Sequence, residues 1–497
     1  MYIPPLSKSE FMLFLKHPAW LWLKRYRKEL LPGVDQALQA IFDNGLEFEN
    51  MVERIFIDPV KVGFSLNDNS YRLMPEKTMR ALKNGARTIL QGRVENQGLT
   101  CIFDALELNN DDSYTLTEIK SSTSPKDDHY LDLAFQKHIL TLCGINISKS
   151  KLIYLNKEYI RQGEIDPYKI SIIEDVTEKV NEQLSFVASK IQEAQELVKS
   201  KVQPNMSPRF AKKTALSEWL QIYETLYPPE SDQSIFRLTR LDPEIIGILE
   251  DLKIKKIAEI PDDVALNSKQ KNQILSVKSK KPIVHKEKIK EFLDNLVFPL
   301  YFLDYETYSA IIPPYDKTKP NMNIPFQYSL HILDSEGNLT HKEFLHTTQE
   351  NPVPYLLSSL KKDIGETGSI ISWFKSFESG RNNEMADNFP EYKDFLEDVN
   401  LRMVDLMDPF MQDFYIHKDF YGSASIKKVL PVLVADLSYK KLAIQEGGTA
   451  SRTWGEIVLK GKLQDKKEKV LSDLKKYCFT DTYAMVKIYD HLRTVSD

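Results

Sequence analysis

The sequence predicts a multidomain α/β protein, and three observations lead there. The chain has 497 residues, more than one hydrophobic core usually serves, with 42% apolar and 10% aromatic residues to fill two or three. Short apolar strand-like runs are interleaved with segments of helical spacing at both ends of the chain. Between them, residues 213–292 are almost wholly helical in pattern, polar and charged. The expected division is a first α/β domain over 1–205, a helical connector over 206–292, and a second α/β domain over 293–497.

Lys and Arg total 66 against 71 Asp and Glu, a formal net charge of −5. Any polyanion partner must therefore be held by local patches rather than by an overall basic excess. The opening MYIPPLSKSEF has no apolar run behind a basic segment, and no later stretch approaches the roughly 20 apolar residues of a membrane span. A cytoplasmic protein without a membrane partner is expected. Three cysteines, Cys101, Cys143 and Cys478, lie far apart with no C-x-x-C, which argues against a disulfide framework or a structural zinc site.

In the first domain, LSKSEFMLFLKHPAWLWLKRYRK sets Lys24, Arg25, Arg27 and Lys28 among Trp20, Trp22 and Tyr26. Such a segment can follow a phosphate backbone and stack bases; equally, it can be a core helix with its charges outward. DNGLEFENMVERIF predicts a helix offering Glu49, with Glu53 one turn later. GLTCIFDALELNNDDSYTLTEIKSSTS, 98–124, predicts a hairpin with Asp104 on its first strand. On its second strand Leu116, Glu118 and Lys120 share a face. A buried acid beside a buried lysine is costly unless each has a partner or a task; a plain salt bridge on a sheet is the alternative. YLDLAFQKHILTLCG predicts a helix carrying Gln136 and closed by Gly144; SKLIYLNKEYI predicts a strand, and a long helix follows over about 175–201.

VQPNMSPRFAKK changes composition and predicts a linker. DPEIIGILEDLKIKKIAEIPDDVALNSKQKNQIL has the cadence of short helices around a tight turn, either a helix-hairpin-helix element gripping a nucleic-acid backbone or a simple connector. The basic run KSKKPIVHKEKIK, 278–290, predicts a solvated face.

The second domain opens on FPLYFLDYETYS, 298–309. Alternate strand residues face the same side, so Asp304 and Glu306 point together. Two close carboxylates repel and raise one another's pKa unless a cation lies between them. Hard oxygen ligands suit magnesium or manganese. The strands LYFLDYE, FQYSLHIL and KEFLH predict an antiparallel set, and GSIISWFK a further strand running into Glu378 at its end. LKKYCFTDTYAMVKIYDHL predicts a helix with Tyr477 and Asp481 four residues apart on one face. GSASIKKVLPVL predicts a helix start beside them.

The order D-x-E strand, second acid, then Y-x-x-x-D helix over about 295–497 resembles the DnaQ-like exonucleases of the DEDD class in its tyrosine form. That resemblance implies an RNase H-like fold, two metal ions on Asp304, Glu306 and Asp481, Glu378 as the fourth acid, and Tyr477 orienting the attacking water. The family usually has aspartate where Glu378 stands, and Asp405 in RMVDLMDPF is the alternative fourth acid, better placed for a fold-supporting role. Over about 1–200, helix acid, strand Asp, E-x-K strand and helix Gln resemble the RecB-like PD-(D/E)XK nucleases. This implies a restriction-endonuclease-like α/β core with Glu49, Asp104 and Glu118 on metal, Lys120 orienting water or offsetting phosphate charge, and Gln136 contacting substrate or supporting the site. Here the chain departs from the pattern at Leu140, where relatives often carry tyrosine. Three scattered cysteines cannot reproduce the four-cysteine iron–sulfur cluster of many relatives, so no such cluster is expected. As a whole, through YLNKEYIRQGEID and PLYFLDYETYSAIIPPYD, the chain resembles an uncharacterised bacterial family joining the two domain types.

The expected function is a magnesium- or manganese-dependent nuclease acting on DNA or RNA, single-stranded or with free ends. The C-terminal part is expected to remove nucleotides from 3′ ends, and the N-terminal part to be a second nuclease. The rival expectations are a nucleic-acid-binding module with one or both sites degenerate, and an enzyme with one live site and one clamp.

Overall fold

The hairpin expected over 98–124 lies at the centre of a seven-stranded sheet. In the computed structural model, which describes residues 3–33, 35–63 and 70–497, the chain is a mixed α/β protein with several sheets. It divides into two units: Met1–Pro229 with Asp242–Gly247 and Ala310–Asn321, and Glu230–Leu241 with Ile248–Ser309 and Met322–Asp497. Residues 206–292 are shared between the two. No helix among the described residues is long and apolar enough to cross a membrane.

The strands of the first unit are β1 (Leu6–Ser7), β2 (Val60–Lys61), β3 (Thr88–Asn96), β4 (Leu99–Leu108), β5 (Tyr114–Lys120), β6 (Ile147–Leu155) and β7 (Ser171–Asp175). Their order is β2-β3-β4-β5-β6-β7, with β1 pairing the start of β4. β3 turns into β4 through Gln97 and Gly98, both at positive φ, as a two-residue hairpin requires. β5 and β6 are parallel, and the helix Asp127–Leu142 makes the crossover between them. That helix buries His129, Asp132 and Gln136 as well as Leu133, Phe135 and Ile139, so most of its circumference is inside. Phe11 from the helix Lys8–Lys16 stacks on Phe135 with ring centroids 4.7 Å apart, and the helix Thr177–Ser200 closes the same core.

The basic aromatic segment near the N-terminus forms the helix Pro18–Tyr26, with Ala19, Leu21 and Leu23 buried. Arg25 donates to Glu10 and to the carbonyls of Pro4 and Pro5, which gives it a packing role; Lys24 and Lys28 are exposed.

The strands of the second unit are β8 (Ile283–Val284), β9 (Leu300–Tyr308), β10 (Ile324–Leu333), β11 (Leu339–Leu345), β12 (Ile370–Ser372), β13 (Met403–Asp405) and β14 (Tyr415–Ile416). Five of them form a sheet ordered β11-β10-β9-β12-β13. β9, β10 and β11 are antiparallel neighbours, whereas β12 runs parallel to β9 and β13. The helix Lys467–Ser496 packs across β9 and β10. Phe302, Phe326, Trp454, Leu474 and Ile488 are fully buried there, and the Phe326 and Trp454 rings stack at 4.5 Å. Each such aromatic contributes on the order of 2–3 kcal/mol through burial.

One expectation is corrected. The strand read from GSIISWFK shrinks to the three residues of β12, and Glu378 does not end it. It lies instead in the first turn of the helix Lys375–Asn388. The cause is local: Phe374 adopts a left-handed conformation with a φ of 73°, and the Asp405 carboxylate accepts Phe374 N–H at 3.0 Å and Lys375 N–H at 2.8 Å. The helix therefore starts two residues after the strand stops, so Trp373 and Phe374 form a turn.

Candidate functional site

In the second unit, β9 delivers Asp304 and Glu306, the helix Lys375–Asn388 delivers Glu378, and the helix Lys467–Ser496 delivers Tyr477 and Asp481. All five line one cleft of about 540 Å³. Glu306, Glu378, Tyr477 and Asp481 are each less than a tenth exposed. Asp304 and Glu306 place ligand oxygens within 4.8 Å of each other and of Cys478 Sγ. Among the described residues these three form one group with the spacing of a metal site.

The electrostatics are those of a crowded acid cluster. Burial pushes the Asp304, Glu306 and Glu378 carboxyls well above the usual range, and neighbouring carboxylates push each of them further. Asp481 is raised by burial to about 6, although the Tyr439 hydroxyl donates to its Oδ1 at 2.6 Å and lowers it. The cations acting on the cluster are few. Arg381 bears on Glu378, yet its guanidinium is chelated by Glu384 at 2.8 and 2.9 Å. Lys427 bears on Glu306 and Asp481 from the cleft wall. Glu378 Oε2 is buried with no hydrogen-bond partner. An unsatisfied carboxylate oxygen in that position is costly, and the cost is relieved either by the proton that its raised pKa favours or by a cation.

Burial and then the Asp481 charge push the Tyr477 phenol above its ordinary value, so it is a hydrogen-bond donor and not a base at neutral pH. Asp405 is absent from the cleft lining. Both of its oxygens are used by backbone N–H groups, including Met407 N–H at 3.0 Å, which makes it a helix cap.

In the first unit, Glu118 and Gln136 are buried side by side. Glu118 Oε1 accepts from Lys8 at 2.9 Å and from Lys120 at 2.5 Å, while Oε2 accepts from Gln136 at 2.7 Å. Lys120 also reaches Asp132 Oδ2 at 2.9 Å, and Lys8 reaches Asp132 Oδ1 at 3.2 Å. Burial alone would raise Asp132, yet the two ammonium groups hold it well below the usual range. Asp104 Oδ2 accepts Ile119 N–H at 2.7 Å; burial and then the Glu118 charge raise its carboxyl. Glu49 accepts from the Gln91 amide and is raised by burial, then by Glu53 and Glu118. The fold thus brings Glu49, Asp104, Glu118, Lys120 and Gln136 into one electrostatic neighbourhood, but both oxygens of Glu118 are engaged by donors.

The sequence reading missed Lys8 and Asp132 in this cluster, and Cys478, Lys427 and Tyr439 in the other. Cys478 carried a signal, since it lies one helical turn before Asp481. Lys8 carried none, because its partner Glu118 is 110 positions away.

Comparisons with known proteins match residues 301–425 to a family described as a domain of unknown function, DUF2779. That span contains Asp304, Glu306 and Glu378 and stops before Tyr477 and Asp481. Over 227 residues the chain is 27% identical to "Uncharacterized protein MG366 homolog" of Mycoplasma pneumoniae, covering 42% of this chain and 34% of that protein. Over 219 residues it is 27% identical to "Uncharacterized protein MG366" of Mycoplasma genitalium, covering 40% and 33%. The chain therefore spans about a third of the length of the curated relatives it matches.

Proposed function

We propose that the protein is a metal-dependent nuclease that hydrolyses phosphodiester bonds in DNA or RNA. In this reading the second unit is a DnaQ-like exonuclease with an RNase H-like fold, acting from 3′ ends. The first unit is a RecB-like domain with a restriction-endonuclease-like core.

One observation carries the reading. Asp304, Glu306, Glu378 and Asp481 arrive from three elements on one cleft, all but the half-buried Asp304 fully inside and all four electrostatically raised, with Glu378 Oε2 left without a partner. Asp304, Glu306 and Asp481, with Glu378, would hold the metal, and their oxygen donors suit magnesium or manganese. When bound, such an ion supplies Lewis acidity, lowering the pKa of the attacking water and neutralising charge on the phosphate. The chain's own residues do the rest. Tyr477, kept protonated, offers its hydroxyl to orient the nucleophile. Tyr439 fixes the Asp481 carboxylate by a 2.6 Å hydrogen bond. Gly447 lies beside the Glu306 carboxylate, where an added Cβ would make ordinary contact with Oε2 at 3.6 Å.

A second reading concerns the first unit alone. Lys8 and Lys120 together occupy Glu118 Oε1, which favours a site that clamps a strand without cutting it.

End-labelled single-stranded DNA and RNA, incubated with magnesium or manganese, test both readings. The wild type should give a ladder that Asp304→Ala abolishes. Retention of the ladder in Lys120→Ala supports the clamp, and its loss there with retention in Asp304→Ala reverses the assignment. No cleavage of either polymer by wild type overturns the nuclease reading.

A further inference from the structure

Cys478 is the member of the second unit's acid cluster to which the nuclease reading gives no task. It is fully buried on the helix Lys467–Ser496, next to Tyr477 and one turn before Asp481. A buried free cysteine ordinarily packs among apolar side chains, where its chemistry is idle. Here the sulfur faces oxygen. Cys478 Sγ lies 3.9 Å from Asp304 Oδ2 and 3.9 Å from the Asp304 carbonyl oxygen. A thiol has one proton and is a weak donor, so these contacts hold the two groups together only loosely. With Asp304 and Glu306, Cys478 presents three donor atoms from two elements, all within 4.8 Å of one another. Coordination geometry asks for little more. An ion about 2.3 Å from a thiolate sulfur and about 2.1 Å from a carboxylate oxygen, in tetrahedral arrangement, sets the two donors roughly 3.6 Å apart. Asp304 Oδ2 and Cys478 Sγ need to close by only a few tenths of an ångström to meet that value. Independently of the sulfur, Glu378 Oε2 is buried without a partner in the cleft that Asp304 and Glu306 line, a further oxygen that an ion at this place would satisfy.

We infer that Cys478 is a thiolate ligand to the ion held by Asp304 and Glu306, and that it sets the metal preference of the site toward zinc and cobalt and away from magnesium. Carboxylate oxygens alone suit a hard ion such as magnesium, whereas a thiolate is a soft ligand that zinc and cobalt take readily. The sulfur binds as the thiolate, and its proton passes to solvent. Buried against β9, Cys478 reaches the ion from the protein side and leaves the open side of the cleft to Tyr477 and substrate. The inference deepens the nuclease reading. It rests on that reading for the use of the ion in cleavage, while ligation by sulfur is measurable without any cleavage.

The test is titration of the full chain with cobalt as the probe, read by the near-ultraviolet thiolate-to-cobalt charge-transfer band. Wild type should develop the band as the first equivalent binds, and Asp304→Asn should lose it. Cys478→Ser should still bind cobalt but show no band. Competition against cobalt should then find zinc affinity at least tenfold weaker in Cys478→Ser than in wild type, with magnesium affinity changed less than twofold. The paired substitution Cys101→Ser, Cys143→Ser leaves Cys478 as the sole thiol of the chain and should keep the band. Melting temperatures identify any variant that fails to fold, and Cys478→Ala replaces Cys478→Ser if that one does. Cobalt bound to wild type without the band, or a band and a zinc preference that survive loss of the Cys478 thiol, overturns the inference. A cleavage ladder from wild type whose cobalt complex lacks the band sinks the sulfur ligand and leaves the nuclease reading intact. A band that depends on Cys478, with no cleavage by wild type in magnesium, manganese, cobalt or zinc, keeps the ligand and sinks the nuclease.

Discussion

Asp481 couples the metal-free fold to pH. Burial raises it to about 6 against an ordinary value near 4, so in the metal-free fold it keeps its proton across a range where the unfolded chain has lost it. Folded protein then binds more protons than unfolded, and stability falls as pH rises from about 4 through 6. Asp304, Glu306 and Glu378 shift in the same direction. A divalent ion reverses the preference, because it binds the deprotonated carboxylates and releases their protons. The expected result is an apparent manganese affinity that weakens at least tenfold between pH 7 and pH 5, read by calorimetry in two buffers of different ionisation enthalpy so that proton release is counted. A flat profile would mean that these carboxyls do not ligate. Asp304→Asn should remove metal binding yet stabilise the metal-free protein at neutral pH by about 1–3 kcal/mol, since a neutral amide replaces a carboxyl that burial and the Asp481 charge hold away from its ionised form. A denaturant melt in chelator checks this, and a destabilised variant would show that the contact of Cys478 Sγ with Asp304 Oδ2, at 3.9 Å, outweighs the repulsion among the carboxyls.

The helix Lys375–Asn388 shows how an element is placed by a residue outside it. Asp405, on β13, accepts the N–H groups of Phe374 and Lys375, and these charge-assisted bonds fix where Glu378 points. Asp405→Ala should cost about 1–3 kcal/mol and weaken metal binding, although Asp405 never touches the cleft. Asp405→Asn, which keeps one acceptor oxygen, should recover part of both losses, and a full loss of metal binding without loss of stability would contradict a capping role. This element also marks the limit of what the sequence told. Short apolar runs exposed β9, β10 and β11, a polar turn between two such runs exposed the β4–β5 hairpin, and helical spacing exposed the pair Tyr477 and Asp481. The apolar cue failed at Glu378, because the apolar Trp373 and Phe374 mimic a strand while the backbone turns to meet a carboxylate 30 residues away. β3 went unread as well, since TILQGRVEN carries Gln91 and Gly92 in its middle: Gln91 sits at a φ of 53°, and Gly92 lies flat against the Phe103 ring. Partners that meet only in three dimensions, Lys8 with Glu118 and Tyr439 with Asp481, leave no period to read.

Across the whole molecule, the two acid clusters predict different responses to one ion. In the first unit, Lys8 and Lys120 already neutralise Glu118 and Asp132, whereas the cleft of the second unit leaves Glu378 Oε2 unsatisfied. An ion that binds the native state stabilises it by RT ln(1 + [L]/Kd), about 2.7 kcal/mol at a hundredfold excess over Kd. That stabilisation should fall on the elements that supply ligands. Hydrogen exchange with and without manganese should therefore slow amides of β9 and of the helices Lys375–Asn388 and Lys467–Ser496 by up to about a hundredfold, while amides of β4, β5 and the helix Asp127–Leu142 change little. Lys8→Met tests the reason. Removing one ammonium leaves Glu118 and Asp132 with Lys120 alone, so the first unit should lose stability without metal and become newly responsive to manganese. If wild type instead shows equal protection in both units, Lys8 does not substitute for a cation. The first unit would then bind metal in its own right, and the clamp reading would give way to two metal-loaded sites on one chain.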